Sequence, residues 1–148
     1  MSDKINIRRI LTEGFSQGKT EVLDELMTED FVNHNAAPGM ESGREGVKSV
    51  IRVERKGFPD LKAEIIRDFE DGEFVIQHVR LTGTHTGPAF GVEPTGRTIS
   101  WNEMHIARVR DGRVSDHWAC NDLHVLLTQL GKITPPDTSA FRQAAANS

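Results

Sequence analysis

Two Asp-Gly pairs limit what this chain can fold into more than any other feature. Asp71-Gly72 and Asp111-Gly112 each lie between segments rich in β-branched and aromatic residues. Asp-Gly supplies the positive-φ positions that a two-residue hairpin turn prefers, so each pair predicts two antiparallel strands. The candidate strands span residues 61–69, 73–85, 97–110 and 113–120. The second half of the chain is therefore predicted to be a meander of four antiparallel strands.

The first part of the chain predicts three helices. Apolar residues recur at helical spacing over residues 7–15 and again over 22–27. Ser42 and Glu45 match a capping box, so a third helix is expected from Ser42 to about Lys56. Three helices, a meander and a short last helix make an α+β fold, in which a cone-shaped, curved antiparallel sheet is covered by the three N-terminal helices. The open end of such a cone is a pocket.

Composition limits the class of protein. The chain has 148 residues, 36% of them apolar, and no segment near the roughly 20 apolar residues of a membrane span, so residues 1–148 are predicted to form one soluble domain. Its core is expected to cover 5–131, because the tail 132–148 has few apolar anchors and is expected to be flexible or docked on a partner subunit. The formal charge of -4 without a basic stripe argues against a nucleic-acid surface. The N-terminus does not read as a secretory signal, so a cytoplasmic location is expected.

The connection over residues 83–97 is long and rich in Gly, Pro and Thr. A connection of about 15 residues is uncommon inside a small domain, so both a functional flap and a plain surface excursion fit. His85 lies in this segment, where it would either close over a ligand or remain solvated. The six histidines and the single cysteine, Cys120, show no metal-ligand spacing, so no metal site is expected.

Asp122 admits two interpretations. It follows a candidate strand that carries Trp118, and burial beside an apolar wall would raise the pKa of its carboxyl toward neutrality, which suits a general base. It also directly precedes an amphipathic segment, 123–130, that Gly131 closes, which is the position of a helix N-cap. A capping aspartate accepts backbone N–H groups, and its pKa falls. The residues leave both roles open.

A family resemblance is carried by four segments. They read FVNHNAAPGMESGREGVKSVI, GFPDLKAEI, LTGTHTGPAFGVEPTGR and RVRDGRVSDHWACNDLHVLLTQLG, and together they resemble SnoaL-like polyketide cyclases of the nuclear-transport-factor-2-like superfamily. The resemblance, from Phe31 to Gly131, implies a cone-shaped α+β barrel, usually an oligomer, with an apolar pocket and an acid on the last strand. In such cyclases that acid serves an intramolecular aldol ring closure of a polyketide ester without metal or organic cofactor. The matching position here is Asp122.

The residues and the resemblance together give a set of candidate site residues. Asp122 and His105 are expected to be catalytic, because aldol closure needs a base for a carbon-bound proton and donors for the oxygen where charge develops. By strand alternation Trp118 and Asp122 should face the pocket and His117 the opposite side. The residues expected to bind substrate are Trp118, Trp101, Asn33, His34, Phe58, His78 and Phe90.

These features predict a cofactor-independent ester cyclase that takes a proton from a hydrophobic carbonyl substrate and closes a ring by aldol-type chemistry. A non-catalytic small-molecule-binding domain of the same fold is the alternative, and an isomerase or hydrolase on the same scaffold is a third. The expected partners are a hydrophobic small-molecule substrate and a second copy of the chain, in a homodimer or higher homo-oligomer, with no nucleic acid and no membrane. The sheet face expected to pair the copies carries Ile99, Met104, Ile106 and His117.

Overall fold

One five-stranded sheet carries the fold in this computed structural model, which describes residues 3–135 and 137–148. The strands are β1 (Met27–Asn33), β2 (Lys62–Asp71), β3 (Phe74–Thr84), β4 (Thr98–Arg110) and β5 (Arg113–Asn121). Their order across the sheet is β1-β5-β4-β3-β2. The predicted antiparallel meander is confirmed as β2 to β5. β1, which pairs in parallel with β5, was not predicted, because MTEDFVN lacks apolar alternation and Met27 completes the helical spacing of 22–27.

Helices cover one side of this sheet. In the part of the chain that the structure describes they are α1 (Asp3–Arg9), α2 (Val22–Leu26), α3 (Arg44–Gly57), α4 (Leu123–Gln129) and α5 (Ser139–Ala146). α1 continues directly into a π-helical segment, Ile10–Phe15. The three N-terminal helices confirm the predicted α+β class. None of the described helices is long and apolar enough to cross a membrane.

The start of α3 differs from the expectation. The predicted capping box at Ser42 and Glu45 is wrong, because α3 begins after Gly43, which is its N-cap and makes no side-chain cap bond.

The tail of the chain forms a helix that lies outside the core. This helix, α5, has no buried residue, and Phe141 on it is 76% exposed. No side chain of α5 therefore contributes to the core.

The turn between β4 and β5 shows how Asp-Gly sets a hairpin. Asp111 and Gly112 have φ angles of 51° and 75°, and the flanking Arg110 and Arg113 pair directly. Two successive positive φ angles are those of a type I′ turn, whose twist matches the twist of the two strands. The predicted hairpin is confirmed.

A β-bulge in β5 determines which of its side chains reach the interior. Arg108 and Val109 are adjacent on β4, yet they pair with Asp116 and Val114, which are two positions apart on β5. Ser115 is therefore an extra residue in β5. One extra residue reverses the alternation of the side chains that follow it.

The reversal corrects the predicted orientations of His117 and Trp118, and Ile99 on β4 was misplaced independently of the bulge. His117 lies on the helix side of the sheet and Trp118 on the outer side, opposite to the expectation from an unbroken strand. Ile99 was assigned to the outer face but is 1% exposed, so it belongs to the core. Met104 and Ile106 do lie on the outer face, with 47% and 40% of their surface exposed.

The apolar interior forms two clusters. One lies between the N-terminal helices and the middle of the sheet, and the other packs around Phe58 and Trp101 beneath the connection 83–97. This connection is anchored by His85, which is fully buried and whose Nδ1 accepts the backbone N–H of Thr95 at 3.1 Å. His85 is thus neither solvated nor placed over a ligand. It fixes the base of the loop.

Candidate active site

A cavity of about 160 Å³ lies between the helices and the inner face of the sheet. Aliphatic and aromatic side chains of α1, the π-helical segment, β1 and α3 form most of its wall. Asn35 and Asn121 are exposed and mark its mouth, whereas Gln77 and Glu103 are buried in its wall. The polar lining residues are Asn33, Asn35, Glu54, Gln77, Glu103, His105, His117 and Asn121.

A chain of hydrogen bonds runs from β1 to β4 along this cavity. Asn33 Oδ1 accepts the backbone N–H of Asn35 at 3.0 Å, so it is also the acceptor for His117 Nδ1–H at 3.0 Å. His117 Nε2 remains as an acceptor, and His105 Nδ1–H donates to it at 2.8 Å. These proton positions are assigned from the order of donors and acceptors. A neutral His105 ring therefore carries its proton on Nδ1 and leaves Nε2 free.

Glu103 lies beside this free nitrogen. Its Oε2 is 2.9 Å from His105 Nε2, which is an ion-pair distance, but the two atoms lack the alignment of a hydrogen bond and Nε2 has no hydrogen-bond partner. Its Oε1 accepts the indole N–H of the buried Trp101 at 2.9 Å. The carboxylate is thereby held in place, where it would neutralise positive charge formed on His105.

His117 holds His105 in this tautomer. Burial lowers the pKa of the His117 imidazole to about 3, with smaller contributions from the charges of His105 and His34. A ring that stays neutral keeps Nε2 as an acceptor, so it continues to receive the Nδ1–H of His105 at physiological pH. The nitrogen of His105 that this arrangement leaves free is consequently Nε2.

Two further polar groups line the cavity. Glu54 lies on α3, opposite the sheet, and its Oε2 is buried without a hydrogen bond. Burial raises the pKa of this carboxyl to about 8, and the negative charge of Glu103 adds to the shift. Gln77 on β3 lies directly opposite Asp68 on β2, and its side chain interacts with that carboxylate. Buried polar atoms are nearly always hydrogen-bonded, so Glu54 marks a position where a ligand would supply the partner.

Two of the predicted site residues, His105 and Asn33, lie in this cavity. Asp122 does not. It is exposed, and its Oδ1 accepts the backbone N–H of Val125 at 3.3 Å at the start of α4. The N-cap interpretation is confirmed and the predicted pocket orientation of Asp122 is wrong, because β5 ends before this residue. A role of Asp122 as a base stays a prediction.

Three predicted pocket residues lie on the outer face of the sheet instead. Trp118 stacks on His34, with ring centroids 4.6 Å apart and planes 4° from parallel. His34 Nε2 is also 3.0 Å from Asp116 Oδ1. His78 pairs with Asn102 at 3.1 Å on the same face. Their predicted place in the pocket is wrong: the bulge turns Trp118 outward, His78 alternates with the inward-facing Gln77, and His34 lies in the turn after β1.

The remaining three aromatic candidates also lie outside the cavity. Phe58 and Trp101 are fully buried and pack on each other, with ring centroids 5.5 Å apart, in the cluster beneath the connection 83–97. Phe90 lies in that connection and is 39% exposed. None of these three lines the cavity, so contact of their side chains with substrate stays a prediction.

Two cavity residues that were not predicted, Glu54 and Gln77, could have been found from the sequence, because each is a polar residue in an otherwise apolar pattern. Glu54 continues the helical stripe of Val47, Val50 and Ile51, so a carboxyl occupies an otherwise apolar face of α3. Gln77 interrupts the apolar alternation of β3 in the same way. A polar residue at a core position is the detectable signal in both cases. His117 had no such signal, because its orientation depends on the bulge.

Comparisons with known proteins agree with this arrangement. The model of the SnoaL-like polyketide cyclase family matches residues 5–130. Nogalonic acid methyl ester cyclase from Streptomyces nogalater is 30% identical over 129 residues, which cover 86% of this chain and 96% of the relative. Aklanonic acid methyl ester cyclase DnrD from Streptomyces peucetius is 28% identical over 138 residues, which cover 91% and 95%.

A solved structure extends the comparison to three dimensions. IdmH from Streptomyces antibioticus superposes with a TM-score of 0.78 at 33% identity, covering 88% of this chain and 99% of IdmH. The family match spans most of the chain and includes every strand of the sheet. The chain belongs to the SnoaL-like polyketide cyclase family.

Proposed function

We propose that this protein is a cofactor-independent polyketide cyclase, which closes a ring on a hydrophobic carbonyl substrate by aldol-type chemistry. One observation carries the proposal. His105 Nε2 is an unpaired nitrogen on the wall of a largely apolar cavity, with the Glu103 carboxylate 2.9 Å away. An imidazole with a free nitrogen and a carboxylate beside it is suited to remove a proton from carbon.

The first step of the reaction is removal of the proton next to a substrate carbonyl. His105 Nε2 takes this proton, which leaves an enolate on the substrate and a positive charge on the ring. The Glu103 carboxylate stabilises that charge, while His117 keeps the ring oriented through its hydrogen bond. The apolar wall excludes water and strengthens each of these interactions.

The second step forms the ring. The enolate carbon attacks a second carbonyl of the same molecule, a C–C bond forms, and the electron pair of that carbonyl moves to its oxygen, which is then protonated. The net change moves one proton from carbon to oxygen, so no oxidant or reductant is consumed.

The proposed substrate class is a polyketide ester. Both relatives named above are cyclases of methyl esters, of nogalonic and of aklanonic acid. The cavity, at about 160 Å³, is smaller than the pockets of roughly 300 Å³ or more that enclose whole drug-sized ligands. The reacting end of the substrate therefore enters the cavity, and the remaining rings extend past Asn35 and Asn121 at the mouth.

Ring closure of aklanonic acid methyl ester tests this function, followed by chromatography and mass spectrometry. A second assay follows exchange of the central C–H protons of methyl acetoacetate for deuterium by NMR, which isolates the first step. His105→Gln is expected to lower kcat/KM by about 100-fold or more, the usual contribution of a positioned base. His78→Gln, on the outer face, is the matched control and should retain activity. Wild-type protein that accelerates neither reaction would refute the proposal.

The proposal includes a homodimer formed through the outer face of the sheet. Met104 and Ile106 expose apolar surface on neighbouring positions of β4, and Trp118 pairs with Ile106 across the strands. A second copy of the same face would cover them. Light scattering should give the mass of two chains for the wild type and of one chain for Ile106→Glu. A monomeric wild type would contradict the dimer without affecting the proposed chemistry.

A further inference from the structure

Glu54 is a carboxyl group in a position that favours apolar side chains. On α3 it follows Val47, Val50 and Ile51 at helical spacing, and Val47, Val50 and Glu54 all line the cavity. Its Oε2 is buried and has no hydrogen-bond partner. A buried carboxyl without a partner destabilises the folded protein, so its presence here indicates a functional role at this site.

The charge environment keeps this carboxyl in its protonated form. Among the residues that line the cavity there is no lysine or arginine, and the other titratable groups are Glu103 and His105 on β4 and His117 on β5. Glu103 repels a negative charge on Glu54, and burial removes the water that would solvate it. The two effects raise the pKa of Glu54 to about 8, burial being the larger. At pH 7 the group is therefore an O–H donor.

We propose that Glu54 is the acid of this site, a carboxylic acid that donates its proton to a substrate oxygen from the wall facing His105. The inference rests on the function proposed above, because it assigns the second half of that reaction. His105 and Glu54 lie on different walls of the cavity, as a base and an acid that act on different atoms of the substrate require. The free nitrogen of His105 accepts a proton on the sheet side, and Glu54 supplies one on the helix side.

The proton balance of the reaction follows from this assignment. The substrate C–H bond breaks and its proton goes to His105 Nε2. When the new C–C bond forms, the O–H bond of Glu54 breaks and its proton goes to the alkoxide oxygen. The site then holds a Glu54 carboxylate and a protonated His105, and transfer of one proton from the histidine to the carboxylate restores the starting state. No co-reactant is needed.

Binding of 4-nitrophenol tests the donor role without any turnover. Its phenolate oxygen imitates the oxyanion, and its visible absorbance reports whether the bound molecule is ionised. Glu54→Leu is expected to bind the phenolate about 10- to 100-fold more weakly than the wild type at pH 7, the usual cost of losing a hydrogen bond to a charged group. Glu54→Gln keeps an N–H donor of the same shape and should lose less affinity.

Titration supplies the second measurement. Carboxyl NMR of wild type and Glu54→Gln identifies the Glu54 signal, which should titrate near the value of about 8. In the methyl ester assay, kcat/KM of the wild type should fall above pH 8, where Glu54 loses its proton. Glu54→Gln should lower kcat and should not show this fall, because the amide does not titrate. Rescue of the phenolate affinity by Gln but not of kcat would separate proton transfer from hydrogen bonding.

The outcomes separate this inference from the proposed function. If Glu54 titrates below pH 5, or if Glu54→Leu binds the phenolate as tightly as the wild type, the acid role is wrong even where His105→Gln abolishes turnover. If phenolate binding and titration behave as expected while the wild type closes no ring, Glu54 is the oxyanion donor of this cavity and the proposed cyclase reaction fails.

Discussion

A histidine lies at each face of β5, and the two have opposite surroundings. On the inner face His117 is hydrogen-bonded between Asn33 and His105. On the outer face His34 stacks on Trp118 and bonds to Asp116 beside solvent. The outer contact lowers the pKa of the Asp116 carboxyl, chiefly through the hydrogen bond from His34. The inner histidine is instead kept neutral by burial, so only that face places a nitrogen base in an apolar cavity.

Deletion of Ser115 tests what the bulge itself contributes to this comparison. Without the extra residue Val114 can still pair with Val109 and Asp116 with Arg108, so plain alternation leaves His117 toward the helices and Trp118 on the outer side. We expect cyclase activity to persist. The free energy of unfolding should fall by roughly 1–3 kcal/mol, because the backbone around the deletion must adjust and the Ser115 hydroxyl bonds are lost.

The matched control for this deletion is Ser115→Ala. It keeps the residue count and the bulge but removes the hydroxyl that donates to Asp116 Oδ2 at 2.7 Å. Urea unfolding should show a loss of about 1 kcal/mol, and activity should persist. If the deletion abolishes activity while Ser115→Ala keeps it and both variants stay folded, the bulge itself positions the site, and the inward orientation of His117 is not sufficient.

Replacement of the two histidines by phenylalanine sharpens the comparison. His117→Phe leaves His105 Nδ1–H without its acceptor, so the ring can turn and its free nitrogen is misplaced. We expect kcat to fall by about 100-fold, because a misplacement of a catalytic group by about 1 Å can lower the rate by that factor. His34→Phe keeps the stack on Trp118 and should retain kcat within about twofold, because an exposed surface substitution usually costs little. Equal effects in steady-state kinetics would contradict the different roles of the two faces.

The pH dependence of stability should distinguish the walls of the cavity. The pKa of Glu54, about 8, lies above the 4.5 of a free glutamate, so the folded protein retains a proton that the unfolded chain has released, and stability falls as the pH rises from 4.5 through 8. The pKa of His117, about 3, lies below 6.5, so the unfolded chain binds the extra proton, and stability falls as the pH drops from 6.5 toward 3.

Urea unfolding at pH 5, 7 and 9 measures both dependences. Glu54→Gln should remove the alkaline loss and be more stable than the wild type at pH 9, by an amount on the order of a few kcal/mol. Asp60→Asn is the control, because bonds from Thr84 lower the pKa of that carboxyl below 3.8, so its contribution to stability is constant between pH 5 and 9. A wild-type stability that is flat between pH 7 and 9 would show that Glu54 ionises without cost.

Local chemistry accounts for the parts of the fold that the sequence predicts. The positive-φ turn at Asp111-Gly112 and the apolar alternation of β3 and β4 are set by a few neighbouring residues, so the meander and the α+β class follow from them. The bulge at Ser115 and the parallel pairing of β1 depend on contacts between distant segments. His105 and Asn33 were found, but the aromatic candidates were not, since a buried aromatic ring fills a core as readily as it lines a pocket.

Asp122 gives the smallest expected effect and decides between the resemblance and the geometry. Its carboxylate caps α4 through Val125 N–H and lies outside the cavity, so Asp122→Ala should cost about 1 kcal/mol of unfolding free energy, the usual value for an N-cap. Cyclase activity should stay within about twofold of wild type, because surface changes away from the site have small effects. Asp122→Ser retains a capping oxygen and should restore most of the stability. If Asp122→Ala and Asp122→Ser both lose activity by more than about 100-fold while remaining folded, the contribution expected of a base belongs to Asp122, and the assignment of His105 must be withdrawn.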